Sequence, residues 1–303
     1  MQIGINGTGL VQKASTEAII GHATQAHSEG FGSYWLAEHP TGGFDALTVL
    51  TAVGMKIPDL KLGTAIIPTW PRHPAVLAGQ ATTTNNTIKG NLTLGIGLSH
   101  EPMMAELGIG FDKPIRHLKE FLAVLMPLIQ EGSVQVDGEM LSASARFFRQ
   151  SESDLPVLVA ALGPQALRVT GRLADGTILA WVGPKTIREH IAPTLNEAAA
   201  KADRPMPQIV ASLPVCVTDS EAEVRATIGK GLRMYGQLPS YRAMFDREGA
   251  EGPAEVAIVG SLAQVTDGIE AMRLAGVTEF APTEFFTNPD EAAQTRELLV
   301  SLL

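Results

Sequence analysis

The chain has 303 residues, of which 45% are hydrophobic and 18% charged, and its formal net charge at pH 7 is −9. This is the composition of a globular protein long enough for one large barrel or two modest domains. The acidic balance, with no cluster of lysines or arginines, argues against nucleic acid and anionic membrane surfaces as partners. The one cysteine, Cys216, excludes an internal disulfide framework. No signal-peptide pattern is present and the apolar run at 121–129 is too short to span a bilayer, so we expect a cytoplasmic protein.

The first strand pattern, 2–5, runs into Gly7-Thr8-Gly9, which could begin a G-x-G-x-x-G dinucleotide-binding turn. That motif requires a third glycine at position 12, where the chain has Gln12, and a helix that begins inside the motif. The first helix start is Ser15, several residues too late. The opening therefore argues against an NAD-dependent dehydrogenase.

Short apolar segments bounded by turn residues are predicted as strands at 2–5, 33–37, 60–66, 92–97, 157–161, 177–181, 208–217 and 278–283. Helical patterns follow these strands at 16–29, 45–56, 74–87, 114–131, 164–174, 184–202, 219–246, 261–275 and 289–302. Continuous apolar strands that alternate with amphipathic helices indicate a parallel sheet covered by helices. Eight such units favour a (β/α)8 TIM barrel over an open doubly wound sheet. We expect one domain over 1–303.

Two stretches interrupt this alternation and are predicted as insertions that decorate the barrel. Residues 132–156 contain Asp137-Gly138, which indicates a hairpin between the fourth and fifth strands. Residues 232–260 prolong a helix and then supply a link rich in proline and glycine before the eighth unit. Neither stretch indicates a second domain.

Function in a barrel of this type belongs at the carboxyl ends of the strands. The polar and aromatic residues expected there are Asn6, Glu38, His39, Trp70, Arg72, His100, Glu101, Trp181 and Glu284. Ordinary roles remain open for them. Glu38 and His39 could cap a helix, His100 and Glu101 could form an exposed loop pair, and Trp181 could be a packing residue.

The segment ALGPQAL at 161–167 combines a strand end, a glycine and a proline at the first helical turn. Free backbone N–H groups and the helix dipole converge at such a point, which favours a phosphate, although an ordinary turn has the same pattern. The seven histidines lack the spacing of zinc motifs, and no cysteine pair exists, so no metal site is expected. No G-x-S-x-G nucleophile motif is present.

Four segments in this order resemble the bacterial luciferase-like family of flavin- and deazaflavin-dependent oxidoreductases: GFGSYWLAEH, LKLGTAIIPTWPRHPAVLAGQATTTNNTIKGNLTLGIG, LPVLVAALGPQALRVTGRLADGTILAW and VGSLAQVTDGIEAMRLAGVTEF. The resemblance covers nearly the full chain. It favours the branch that uses coenzyme F420 and contains methylene-tetrahydromethanopterin reductase and the deazaflavin type of glucose-6-phosphate dehydrogenase. It implies a (β/α)8 barrel, a hydride transfer between F420 and a small organic substrate, and a homodimer.

The resemblance also implies roles for particular residues. His39 is expected to donate or accept the proton, and Glu38 to orient or contact the cofactor. A non-proline cis peptide bond is expected within 64–66, at Ala65–Ile66, against the cofactor ring. The cofactor phosphate is expected at Ala161, Leu162, Gly163 and Pro164. Further candidates are Asn6 and Trp181 for the cofactor, and His100 and Glu101 for catalysis.

Three alternatives accompany this interpretation. An FMN-dependent two-component monooxygenase would have the same barrel, and a non-catalytic flavin-binding barrel would also fit. The NAD-dependent dehydrogenase is disfavoured by Gln12. Glu284, at the end of the last strand, is expected to repel a phosphate, which argues against a sugar-phosphate substrate.

Overall fold

The computed structural model describes residues 1–11, 15–39 and 41–303. Its strands are β1 (Gln2–Ile3), β2 (Ile5–Asn6), β3 (Ser33–Leu36), β4 (Lys61–Thr64), β5 (Ile67–Pro68), β6 (Leu92–Gly97), β7 (Ser133–Asp137), β8 (Ser142–Arg146), β9 (Val157–Ala160), β10 (Gly176–Ala180), β11 (Gln208–Ser212), β12 (Pro214–Val217), β13 (Ile258–Gly260), β14 (Glu279–Phe280) and β15 (Thr283–Glu284). Position 12, on which the dinucleotide motif fails, lies outside the described residues.

The α-helices are α1 (Thr16–Ser28), α2 (Ala46–Lys56), α3 (Pro74–Thr87), α4 (Glu101–Glu106), α5 (Pro114–Gln130), α6 (Pro164–Leu173), α7 (Pro184–Thr186), α8 (Ala192–Ala200), α9 (Glu221–Gly231), α10 (Pro239–Glu248), α11 (Pro253–Val256), α12 (Leu262–Leu274) and α13 (Pro289–Ser301). Several begin with proline, whose missing N–H costs nothing in the first turn. A π-helical turn, Ile187–Ile191, joins α7 to α8. Within the described part of the chain, no helix has the length and apolarity needed to cross a membrane.

The parallel strands close into a barrel. Their order is β1-β14-β11-β10-β9-β6-β4-β3-β2. Because β1 and β2 are consecutive pieces of one strand, the first and last members of this order join and complete the ring. The closure is held by hydrogen bonds from Gly4 N to Phe280 O (2.9 Å) and from Asn6 N to Pro282 O (3.0 Å). The predicted (β/α)8 barrel is therefore confirmed.

The barrel interior is filled by apolar side chains from alternating positions of the strands. Leu158, Ile178 and Val210 form one cluster there with Trp35, and all are at most 5% exposed. The indole Nε1 of Trp35 donates to Oε1 of Glu279 at 2.6 Å, so the second barrel position is tied to the eighth across the interior. Burial of each aliphatic side chain contributes roughly 1.5–3 kcal/mol to the stability of the folded protein. The packed interior therefore holds the strand ends in place.

The first insertion has the predicted hairpin. Strands β7 and β8 pair in antiparallel fashion, with Asp137 opposite Ser142. The loop that joins them is closed by Glu120 of α5, whose carboxylate accepts hydrogen bonds from the backbone N–H groups of Glu139, Met140 and Leu141.

The second insertion differs from its prediction. A continuous helix over 219–246 is wrong, because α9 ends at Gly231 and α10 begins at Pro239. Proline cannot donate a helical hydrogen bond and forces the preceding residue out of the helical region, and Leu238 is indeed extended. Strand β13 was not predicted; it pairs in parallel with β12, in a three-stranded sheet that also contains β15.

Candidate active site

The third barrel strand is interrupted at the carboxyl-terminal rim, the edge of the barrel where the strands end. The peptide bond Ala65–Ile66 is cis, as the resemblance predicted, and it separates β4 from β5. Neighbouring strands satisfy the irregular backbone: Ala65 N donates to Leu36 O (2.8 Å), and Glu38 N donates to Ile66 O (3.1 Å). The bulge is therefore an ordered part of the sheet.

Two glycines of β6 make room for this bulge. The hydroxyl of Thr64 donates to Gly95 O and accepts from Gly95 N, both at 2.8 Å, in place of a regular ladder pair. A Cβ at Gly95 would overlap the carbonyl oxygen of Thr64, and one at Gly97 would lie 3.2 Å from the side chain of Ile66. Because glycine leaves both places open, Ile66 can present an apolar surface at the centre of the rim.

Glu38 is committed to an ion pair. Its carboxylate pairs with the guanidinium of Arg72, with Nη2 to Oε2 at 3.1 Å, and also accepts from Ala46 N at the start of α2 (3.2 Å). Arg72 in turn donates to Asp45 Oδ2 at 2.7 Å. These contacts fix the turn that carries His39, so the arrangement favours a positioning role for Glu38 over direct contact with a ligand.

His39 and His100 lie on either side of the bulge. His39 follows β3 and is half-buried, with Nδ1 3.2 Å from the hydroxyl of Thr41. His100 follows β6, and burial, together with the nearby charge of His39, lowers the pKa of His100 to about 4. His100 is therefore a neutral imidazole at pH 7, able to form hydrogen bonds but not to carry a positive charge.

Two tyrosines that the sequence analysis missed stand beside His100. The ring centroid of Tyr235 is 5.9 Å from that of His100 and 5.6 Å from that of Trp181, and Tyr241 lies 5.6 Å from His100. Both tyrosines belong to segment 232–250 of the second insertion. The sequence analysis found rim residues from the alternation of strands and helices, and an insertion does not follow that alternation. The only sequence feature that could have pointed to these two residues is that they are aromatic.

Segment 232–250 is held to the barrel by Glu248. The carboxylate of this residue, at the end of α10, accepts from Lys185 N (3.1 Å) and Thr186 N (2.7 Å) at the start of α7. The hydroxyl of Thr186 donates to Met244 O (3.2 Å). A Cβ at Gly183 would overlap Glu248, so glycine at this turn permits the contact.

The start of α6 has no such cap. Gly163 occupies the N-cap position, no side chain in the described part of the chain caps the helix, and an added Cβ at Gly163 would meet nothing within 4 Å. The first N–H groups of the helix are thus open at the rim. The preceding residue is fixed by His190, whose Nε2 donates to Leu162 O at 2.8 Å. Burial and the charge of Arg247 lower the pKa of His190 despite that hydrogen bond.

Asn6 lies at the rim, but its side chain is occupied. Its Nδ2 donates to Ser212 Oγ (3.1 Å) and its Oδ1 accepts from Thr8 N (2.9 Å), which caps a 3-10 turn over Gly7–Leu10. A Cβ at Gly7 would overlap the hydroxyl of Tyr34. The glycine of the opening motif thus serves packing, and the arrangement indicates a structural role for Asn6.

Glu284 does not face the mouth as expected. Thr283 and Glu284 alternate across β15, and the Thr283 hydroxyl lies 3.3 Å from Ser212 Oγ, so Glu284 points to the outer side. There it pairs with Arg296 of α13, with Arg296 Nε to Glu284 Oε1 at 2.6 Å. Burial raises the pKa of Glu284, but hydrogen bonds from His22 and Arg296 outweigh it and hold the pKa below its ordinary value. The expected repulsion of a phosphate by Glu284 is therefore wrong.

Glu101 is the exposed first residue of α4, and its side chain has no hydrogen-bond partner among the described residues. The rim thus brings together His39, His100, Trp181, the cis bond and the open end of α6, whereas Glu101 stays at the solvent boundary. No group of three or more metal-ligating side chains occurs among residues 1–11, 15–39 and 41–303.

Comparison with known proteins agrees with this geometry. The family model described as luciferase-like monooxygenase matches residues 3–279. The chain belongs to this family. An F420-dependent glucose-6-phosphate dehydrogenase of Beutenbergia cavernae is 30% identical over 266 residues, which cover 82% of this chain and 78% of the relative.

Two further similarities extend this finding. A 5,10-methylenetetrahydromethanopterin reductase of Methanolobus tindarius is 24% identical over 244 residues, or 80% of this chain and 74% of the relative. The solved structure of coenzyme F420-dependent tetrahydromethanopterin reductase from Methanopyrus kandleri superposes with a TM-score of 0.80 at 21% identity, covering 99% of this chain and 97% of that one. This last similarity concerns the fold.

Proposed function

We propose that this protein is a coenzyme F420-dependent oxidoreductase that transfers a hydride between the deazaflavin and a small organic substrate. The observation that carries the proposal is the open amino end of α6, which shares a rim with the cis bond at Ala65–Ile66 and with His39. The relatives from Beutenbergia cavernae and Methanopyrus kandleri, both named for F420, support the same cofactor. The homodimer implied by the resemblance is part of this proposal.

The residues of the rim fit such a cofactor. The apolar side chain of Ile66, for which Gly97 leaves room, suits one face of a flat ring. The N–H groups at Gly163, Gln165 and Ala166, with the dipole of α6 behind them, suit a phosphate. Bound F420 would supply a two-electron hydride carrier, while the protein supplies orientation and exclusion of water.

His39 would hold the proton that accompanies the hydride. Imidazole can both accept and donate a proton near neutral pH, and the turn that carries this residue is fixed by the pair of Glu38 with Arg72. His100, a neutral imidazole at pH 7, would hydrogen-bond the substrate without adding charge. Glu38 would act through His39 as a positioning residue.

Binding of the cofactor tests the proposal without knowledge of the substrate. Titration of the protein with F420, FMN, NAD and NADP, followed by fluorescence, should give saturable binding of F420. A Gly163→Asp substitution should weaken F420 binding by about tenfold or more, because the new carboxylate would occupy the helix end and repel the phosphate. It should leave binding of the ribityl deazaflavin that lacks the phosphate unchanged.

Gly163→Ala is the matched control, since a methyl group there meets no neighbour and the backbone is extended. It should bind F420 as the parent does. Tight binding of FMN with none of F420 would favour the monooxygenase alternative. Equal F420 affinity in Gly163→Asp and Gly163→Ala would mean that the cofactor phosphate does not bind at this loop.

A further inference from the structure

Segment 232–250 crosses the rim above one strand. Trp181 follows β10 and His100 follows β6, and these two strands flank β9 in the barrel. Tyr235 contacts both side chains, so it spans the end of β9, immediately beside the loop at 161–164. Tyr241 lies 5.5 Å from Tyr235 at 88°, an edge-to-face contact that joins it to the same group. Together His100, Trp181, Tyr235 and Tyr241 form what we call the aromatic wall.

The tyrosine hydroxyl groups of this wall are unpaired within the described part of the protein. Neither Tyr235 nor Tyr241 has a side-chain hydrogen-bond partner among the described residues, and neither hydroxyl is among the fully buried unpaired atoms. Burial raises the pKa of both tyrosines, so the hydroxyls stay protonated and can donate. The wall therefore offers ring faces and two donors to an uncharged acceptor such as a carbonyl or an alcohol oxygen.

The wall carries no positive charge to attract an anion. His100 is neutral at pH 7. Arg72, which follows the third barrel strand, is committed to Glu38 and Asp45, and Arg296, behind the eighth, to Glu284 and Glu29. A phosphate or carboxylate pressed against these rings would lose its hydration without gaining a counter-ion from the wall itself, which is unfavourable.

We propose that the aromatic wall determines substrate specificity, and that the substrate is an uncharged molecule with an apolar ring or alkyl body and an oxygen acceptor. This inference rests on the proposed function, since the substrate would pack between the wall and the cofactor ring. It goes beyond that function by assigning the substrate-contacting surface to Tyr235 and Tyr241 and by excluding sugar phosphates.

Matched ligand pairs test this assignment on the full chain. Binding of acetophenone and 4-acetylbenzoate, of cyclohexanone and 4-oxocyclohexanecarboxylate, and of glucose 6-phosphate would be followed by ligand-observed NMR, with and without F420. Each uncharged member should bind at least about tenfold more tightly than its carboxylate partner, and glucose 6-phosphate should bind more weakly than either ketone.

Variants locate the binding surface. Tyr235→Ala should weaken acetophenone binding by about tenfold, and Tyr235→Phe by less, because the ring face remains. Phe148→Ala, which truncates a fully exposed aromatic residue on the hairpin side of the molecule, should have no effect. If circular dichroism shows that Tyr235→Ala is poorly folded, a double variant with Tyr235→Phe and Tyr241→Phe replaces it. This variant removes both hydroxyl donors, keeps both rings, and should still weaken ketone binding.

Two results would overturn the inference: carboxylate partners that bind as tightly as the ketones, or ketone binding that is the same in Tyr235→Ala and Phe148→Ala. Both are separable from the proposed function. The F420 fluorescence titration measures cofactor binding independently. If the protein binds F420 but fails the ligand-pair test, only the assignment of the aromatic wall to substrate binding is contradicted.

Discussion

Histidines of this chain differ in role because their surroundings differ. His117 of α5 is buried, its ring stacks on Trp70 with centroids 3.7 Å apart, and its Nε2 lies 3.0 Å from the Thr69 hydroxyl. Burial lowers the pKa of His117 to about 4, in spite of the nearby charge of Glu120. His117 is thus a neutral packing residue, whereas His39, half-buried at the rim, is the candidate for proton exchange.

The depressed pKa of His117 makes protein stability depend on pH. The unfolded chain binds a proton at His117 below about pH 6.5, while the folded chain does so only below about 4. Between these values the unfolded state holds more protons, so the free energy of unfolding falls as the pH is lowered, by up to about 1.4 kcal/mol per pH unit for this residue. His117→Gln should reduce that slope, measured by urea unfolding at several values from pH 4.5 to 7.

His27→Gln, at an exposed position near the end of α1, serves as the control and should keep the slope of the parent. A slope that is identical in His117→Gln and in the parent would contradict a neutral buried imidazole at this position. The absolute stability of His117→Gln can also fall, through lost stacking on Trp70, but that loss does not vary with pH.

The position of a single residue could be predicted where the residue belongs to a sequence motif of the family. The cis bond at Ala65–Ile66 came from the family resemblance, and the structure has it. Tyr235 and Tyr241 could not be found, because their importance depends on where an insertion folds back onto the rim. The half-buried pair of Glu38 with Arg72 joins residues 34 positions apart, a distance over which sequence spacing predicts no contact.

At the level of elements, two turns with the same sequence pattern turn out differently. Gly163-Pro164 and Gly183-Pro184 both follow a barrel strand and both begin a helix. The first helix end is open, whereas the second is capped by Glu248, which arrives from α10 more than sixty positions later. Only the tertiary fold separates the open helix end from the capped one, so the sequence predicted the helix starts but not this difference.

The contact between Glu248 and the start of α7 should be measurable as a coupling. Glu248→Ala removes a carboxylate cap and should lower the free energy of unfolding by about 1–2 kcal/mol. Gly183→Ala should cost a similar amount in the parent, because its methyl group displaces Glu248, but much less in the Glu248→Ala background. A double-mutant cycle by urea unfolding, followed by circular dichroism, gives the coupling energy.

The cycle has a clear adverse result. If the cost of Gly183→Ala is the same with and without Glu248, the substitution acts through the local backbone and the contact does not anchor α10. Gly163→Ala, at the equivalent turn without a carboxylate cap, is the matched control and should leave stability near that of the parent.

At the scale of the whole molecule, closure of the barrel brings the two ends of the chain together. The alternation of strands and helices predicted this closure, because eight parallel units fill a ring. It did not predict the contacts made outside the ring. Arg296 of α13 donates to Glu284 of β15 and to Glu29, the residue that follows α1 (2.7 Å), and the Nη2 of Arg296 lies 3.0 Å from His22 Nε2. Sequence analysis assigned Glu284 to the mouth because strand period alone does not say which face is inside.

Arg296 should therefore be a stability determinant of the closed barrel. Its side chain is 15% exposed and that of Glu284 is 10% exposed, so Arg296→Leu strands a nearly buried carboxylate and should lower the free energy of unfolding by about 3 kcal/mol. Adding Glu284→Gln should recover part of that loss, since the amide carries no charge. Arg273→Leu breaks a solvent-exposed pair with Glu270 and should cost at most about 0.5 kcal/mol. Urea unfolding of the three variants decides the matter: equal losses in Arg296→Leu and Arg273→Leu would mean that the chain ends are not held by this network.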